Sequence, residues 1–179
     1  MQLITLPNLL SVSRIPLGAL MFWFVYDTDW VAAVIILWLA IGTDVADGYI
    51  ARASNTTSAL GGTLDHGSDA FFVTAAIIAH VSLGLAPFAL ALIIPLAFLQ
   101  YLLDSQALSG QPLKASFIGR YNGVAYFIFA GWPVMQHTIG LTIIPFDWFI
   151  WIGWGLVATS VISMADRLIT LFAQRSDSS

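Results

Sequence analysis

The sequence contains no cysteine. That excludes a disulfide framework, a thiolate metal site and a thiol nucleophile, and it leaves the redox compartment open. Charge is nearly as scarce. Charged residues fill 9% of the 179 positions, against roughly 25% in soluble domains. With 59% hydrophobic residues and a mean hydropathy of +0.86, the composition is that of an integral membrane protein. A formal net charge of −4 and the lack of a basic cluster argue against nucleic acid as a partner. Positive charge is also missing ahead of the first apolar run, and no short apolar core ends in a small-residue cleavage site. No removed leader is therefore expected. Low-complexity segments and convincing repeats are absent, and the length suggests a single domain, 1–179.

What remains is a series of apolar runs separated by polar breaks. The breaks fall at Asp27-Thr28-Asp29, at Ser54 to Ser58, at Gly84 with Pro87, over 105–116 with Gly110 and Pro112, and at Gly140 with Pro145. They predict six helices, near Asn8–Tyr26, Trp30–Ala53, Ala59–Leu83, Pro87–Asp104, Phe117–His137 and Trp148–Ala173. Runs of about 20 residues match a bilayer core of about 30 Å. Asn8 or Ser11 is expected to cap the first helix and Pro16 to kink it. The 7 Trp, 12 Phe and 5 Tyr supply interfacial belts, and the WFIWIGW run reads as one of them. All six bases, Arg14, Arg52, Lys114, Arg120, Arg167 and Arg175, fall on or near one side of a six-span topology. The opposite turns hold Asp27, Asp29, His137 and Asp147. The positive-inside rule then puts the basic side in the cytoplasm. The fold expected is all-α: a multi-pass bundle of six transmembrane helices in the cell's inner (plasma) membrane, both termini cytoplasmic.

Against this apolar background one stretch stands apart. From Gly42 to Asp69 the chain places Asp44, Asp47, Asp65 and Asp69, four of its ten acids. A carboxylate at membrane depth costs about 2.5–3.5 kcal/mol even on insertion scales. Four of them need compensating positive charge, and Arg52 is the one base near them in the sequence. On a helical wheel Asp44, Asp47, Gly48 and Ala51 share one face of the second helix. Gly61, Asp65 and Asp69 recur at i, i+4, i+8 on the third. A short loop joins the two helices, which are expected to pack as antiparallel neighbours with the acidic faces meeting. Gly48, Ala51 and Gly61 leave room for a backbone or a flat ligand. An all-oxygen donor set suits Mg²⁺, Mn²⁺ or Ca²⁺, as one ion or two. Two such ions commonly serve phosphoryl and pyrophosphate chemistry. Arg52 is placed to reach a phosphate with its planar fork, and a metal-bound nucleotide diphosphate suits the set. The other readings are acids solvated at helix ends and an ion or proton pathway, which intramembrane acids also mark.

The spacing Asp44-x2-Asp47-Gly48-x2-Ala51-Arg52-x8-Gly61-x3-Asp65-x3-Asp69 resembles the signature of the CDP-alcohol phosphotransferase family at every defined position. The opening Pro7-Asn8-x2-Ser11-x2-Arg14 is similar to the start of many members, and size and layout resemble the phosphatidylglycerophosphate synthases. The resemblance implies transfer of a phosphatidyl group from CDP-diacylglycerol to a small alcohol, with release of CMP. It implies that Asp44, Asp47, Asp65 and Asp69 ligate Mg²⁺ or Mn²⁺, and that Asp69 is also the general base. Gly48, Ala51 and Gly61 would admit the cytidine nucleotide, and Arg52 would contact its phosphates. A homodimer in the lipid bilayer is implied as well.

The chain departs from the pattern in two places. Ala70 follows Asp69 where many relatives carry Lys, and no multi-base run follows the fourth helix. Lys114, Arg120 and Arg167 are the candidates for an acceptor phosphate, with cytoplasmic anchoring as the plainer role. Glycerol 3-phosphate is the acceptor expected; serine, an inositol phosphate and phosphatidylglycerol are alternatives, and an ion-coupled transporter is the alternative of another class. His66 is expected at the interface, turned away from Asp65. His80 and His137 are expected in the core or on the outer face. Asp104 and Asn122 are expected to cap helices, near enough to the acceptor to touch it.

Overall fold

The computed structural model describes residues 5–54, 58–104 and 117–176. Lys114 and the side chains of Asp104 and Arg175 lie outside the described residues. Six helices follow in order: α1 Leu6–Tyr26, α2 Trp30–Ala53, α3 Ala59–Ser82, α4 Phe88–Asp104, α5 Phe117–Ile139 and α6 Phe146–Ser176. No strand is present among the described residues. The breaks act through backbone chemistry. Asp29 caps α2 by accepting from Ala32 N at 3.0 Å, and Ser58 caps α3 by accepting from Gly61 N at 3.0 Å. Gly84 and Gly140 turn the chain in the left-handed region, at φ 72° and 68°.

Two local expectations change. Thr5, not Asn8 or Ser11, caps α1: its hydroxyl accepts from Asn8 N at 3.4 Å. Helix α1 starts earlier because Pro7 sits in its first turn, where a missing N–H costs nothing. The helix also runs on through Pro16.

Helices α1, α2 and α6 (over Phe146–Thr170) are long and apolar enough to cross a membrane by length and composition alone. Helix α4 is apolar but shorter, and α3 carries Asp65 and Asp69 within its span. The outer faces expose large apolar side chains, among them Trp23, Trp38, Trp148 and Trp151. This inverted surface belongs to a protein whose solvent is lipid. The chain is an all-α membrane bundle.

Packing departs from chain order in one respect that shapes the site. The main neighbours of α2 are α1 and α5, and those of α3 are α1, α4 and α5. Thus α2 and α3 do not pair face to face as expected: α1 is inserted between them. Gly18 permits this, because a Cβ there would lie 3.0 Å from Phe72 Cα on α3. The core sits toward the end of the bundle remote from the acids. Val25, Ala33, Ala76, Ile77, Leu90, Ala130 and Val134 are fully buried there.

Candidate active site

The four aspartates converge, and joining them is a residue that spacing along α2 and α3 does not reveal. Arg14 of α1 is completely buried. Its Nη1 donates to Asp44 Oδ1 at 2.7 Å, and its Nη2 donates to Asp47 Oδ2 at 3.0 Å and to Asp65 Oδ1. Its Nε lies 3.0 Å from Asp69 Oδ1 as an ion pair without hydrogen-bond alignment. One turn earlier, Ser11 donates to Asp47 Oδ2 at 2.8 Å. The compensating base is therefore Arg14 rather than Arg52. Its place follows from the insertion of α1: a guanidinium between α2 and α3 reaches both acidic faces, which a residue on either helix cannot do. The signal in the sequence was the three-residue step from Ser11 to Arg14, which sets both on one helix face.

One guanidinium against four carboxylates leaves the cluster strongly negative. Asp47 is buried, Asp65 and Asp69 are about two-thirds shielded and Asp44 is half-exposed. Carboxylate oxygens of Asp44, Asp47 and Asp65 lie within 4.8 Å of one another, and so do ligand atoms of Asp65, His66 and Asp69. Asp69 Oδ1 is buried and accepts no hydrogen bond. The hard carboxylate donors of Asp44, Asp47, Asp65 and Asp69, with the His66 imidazole beside Asp65 and Asp69, fit a divalent cation of the Mg²⁺ or Mn²⁺ type.

Asp44 and Asp69 form part of the wall of a cavity of about 960 Å³ between α2, α3, α4, α5 and α6. Arg120, Arg167 and Asn122 line the same space. The Arg167 guanidinium rests 4.5 Å above the Tyr101 ring, a cation–π contact. Away from the acids the wall turns apolar, with Leu37, Ile41, Val73, Phe98, Trp132 and Met135. From Arg120 to Met135 along α5 is about 22 Å at 1.5 Å per residue, so the cavity reaches deep into the bundle.

Of the residues singled out in the sequence, the aspartates come together and Arg120 and Arg167 share one cavity with Asp44 and Asp69. Gly48, Ala51, Arg52 and Gly61 stand outside that wall, beyond the acids toward the helix ends. A Cβ on Gly48 would come within 3.3 Å of the Arg52 guanidinium, which folds back along α2. A Cβ on Gly61 would meet Asn8 Oδ1 and Ser58 Oγ at 3.1 Å. His66 does not turn away: its Nδ1 is 4.0 Å from Asp65 Oδ2, and its ring tilts against Tyr101 at 5.9 Å. Asn122 is buried in the cavity wall rather than capping α5. His80 is a core residue whose Nε2 donates to the Ala130 carbonyl at 2.8 Å. His137 is sandwiched between Trp30 and Phe146, at 4.0 and 4.3 Å.

The family model for CDP-alcohol phosphatidyltransferase matches residues 4–162. The chain belongs to this family. Among similar proteins, the cardiolipin synthase (CMP-forming) of Rattus norvegicus is 39% identical over 83 residues, 46% of this chain and 26% of that protein. The CDP-diacylglycerol–glycerol-3-phosphate 3-phosphatidyltransferase of Aquifex aeolicus is 39% identical over 67 residues, 37% of each chain. The enzyme of the same name from Pseudomonas fluorescens is 34% identical over 76 residues, 41% of this chain and 39% of that one. The aligned part of this CDP-alcohol phosphatidyltransferase chain thus spans well under half the length of these curated relatives.

Proposed function

We propose that the protein transfers a phosphatidyl group from CDP-diacylglycerol to a small alcohol and releases CMP. The observation that carries this reading is the convergence of Asp44, Asp47, Asp65 and Asp69 beside a cavity that Asp44 and Asp69 line together with Arg120 and Arg167. Asp44, Asp47, Asp65 and Asp69 would hold one or two Mg²⁺ or Mn²⁺ ions. When bound, they neutralise the pyrophosphate and the charge that grows on departing CMP. Gly48, Ala51 and Gly61, free of bulky side chains, admit the cytidine nucleotide, and Arg52 pairs with its phosphates. Asp69 accepts the proton of the acceptor hydroxyl as that oxygen attacks the phosphorus of the phosphatidyl group. The bond from that phosphorus to the bridging pyrophosphate oxygen breaks, and CMP leaves with the oxygen.

Glycerol 3-phosphate is the acceptor proposed. Two arginines on one cavity wall suit a compact phosphate, and two of the similar proteins carry that substrate in their names. A second reading, phosphatidylglycerol as acceptor, is favoured by the apolar depth of the cavity and by the similar proteins named cardiolipin synthase. The test is a panel assay. Purified protein receives CDP-diacylglycerol, Mg²⁺ or Mn²⁺, and one candidate alcohol at a time, and CMP release is followed. Release with glycerol 3-phosphate supports the first reading and release only with phosphatidylglycerol the second. Absence of release with every alcohol would redirect attention to ion-coupled transport.

The proposal extends to setting: a single-domain homodimer in the plasma membrane, with both termini and the acids on the cytoplasmic side. The gathering of Arg14, Arg52, Arg120 and Arg167 at the acid end supports this orientation. A chain without cysteine makes the check direct. A single cysteine at Ser58 should be shielded in intact cells from a membrane-impermeant maleimide, and one at Thr28 should be labelled.

A further inference from the structure

Arg14 uses all three of its guanidinium nitrogens, and each of the four aspartates gives it one oxygen: Asp44 Oδ1, Asp47 Oδ2, Asp65 Oδ1 and Asp69 Oδ1. The hydrogen bonds from Arg14 go to one oxygen each of Asp44, Asp47 and Asp65, and none goes to the second oxygen of these carboxylates. Among the described residues Arg14 is absent from the cavity wall, whereas Asp44 and Asp69 line it. Asp47 and Asp65 are absent from that wall as well, so the guanidinium meets Asp44 and Asp69 from the side away from the cavity, where α1 lies. Ser11 adds a second bond from α1 to Asp47. Lysine offers a single charged nitrogen on a flexible stem and cannot span four carboxylates on two helices.

We infer that Arg14 is a positioning residue for the metal centre: it fixes the four aspartates from the α1 side so that one oxygen of each stays available to a divalent cation. This rests on the metal reading proposed above. Arg14 also offsets one of the four negative charges, which lets the carboxylates stand close together without closing the site to a dication. Groups that orient metal ligands typically govern affinity by about 10–100-fold.

The test is Mn²⁺ binding to the full chain in detergent, with no lipid or nucleotide, read by the electron paramagnetic resonance of free and bound Mn²⁺. The key variant is Arg14→Lys, which keeps the charge and removes the planar fork, so that a change reports geometry. It should bind Mn²⁺ about 10–100-fold more weakly with a broadened bound spectrum, while helical circular dichroism stays that of the wild type. Wild-type affinity and lineshape in Arg14→Lys would overturn the inference. Should Arg14→Lys fail to fold, Ser11→Ala loosens the same grip on Asp47 without touching charge. A severalfold weaker Mn²⁺ affinity is then expected, and unchanged affinity overturns the inference. Wild-type protein that takes up no Mn²⁺ removes the metal reading itself, a different result from a wild type that binds and a variant that binds equally well.

Discussion

The two ends of the bundle are built by opposite rules. At the end remote from the acids, small and branched side chains close on one another: Val25, Ala33, Ile77, Leu90, Ala130 and Val134 are fully buried. The polar groups there are locked, as with His80 on the Ala130 carbonyl and His137 between two aromatic rings. At the acid end, α1 holds α2 apart from α3, charge is concentrated around Arg14, and a cavity of about 960 Å³ starts beside Asp44 and Asp69 and runs on into the bundle. The contrast teaches a division of labour. Dense packing at one end carries the stability that lets the other end hold four carboxylates close together, an arrangement that costs free energy on its own.

The largest expected effect comes from emptying the acid end. Excess chelator should take CMP release to background and added Mg²⁺ or Mn²⁺ should restore it; turnover that persists in chelator breaks the assignment. Next, Asp69→Asn should lower kcat by about 10²–10⁴-fold, the usual contribution of a general base, while CDP-diacylglycerol binding by equilibrium dialysis stays near wild type. Near-normal turnover would remove Asp69 from its role. At the packed end the signature should reverse. Leu90→Ala should destabilise the fold by about 2–5 kcal/mol, measured by reversible unfolding in mixed micelles, with Mn²⁺ affinity unchanged. Loss of metal affinity there would dissolve the division between the two ends. Arg167→Ala should raise the KM for a phosphate-bearing acceptor by about 10–100-fold, as expected for a charge-assisted contact worth about 1.5–3 kcal/mol, and leave the KM for CDP-diacylglycerol alone. The smallest change is Tyr101→Leu. Removing the ring under Arg167 should cost about 0.5–1 kcal/mol, a few-fold rise in the same acceptor KM.

Helix boundaries were legible wherever a capping or turn residue interrupts an apolar run. Asp29, Ser58, Gly84 and Gly140 all act as their chemistry predicts. The aspartates were legible because charge is conspicuous in an apolar chain and because i, i+4 spacing fixes a face. The role of Arg14 was not, since it lies 30 residues from Asp44 and 51 from Asp65 in sequence. Only the insertion of α1 between α2 and α3 joins them, and that insertion depends on interhelical contacts such as Gly18 against Phe72, which local periodicity does not encode. For His66, which is half-exposed, only the direction was misread. A wheel angle gives the direction of a Cβ, whereas a long side chain swings toward its partners, here Asp65 and Tyr101.

The cavity, charged where it meets the aspartates and apolar beyond them, has a consequence at the scale of the membrane. A reaction between a molecule that lives in oil and one that lives in water is limited by the boundary between them, because neither dissolves where the other is abundant. On the proposed reaction, a chamber graded from arginine and aspartate at one end to Trp132 and Met135 at the other would carry that boundary inside the protein and fix it at one point, as a phase-transfer catalyst does in a two-solvent flask.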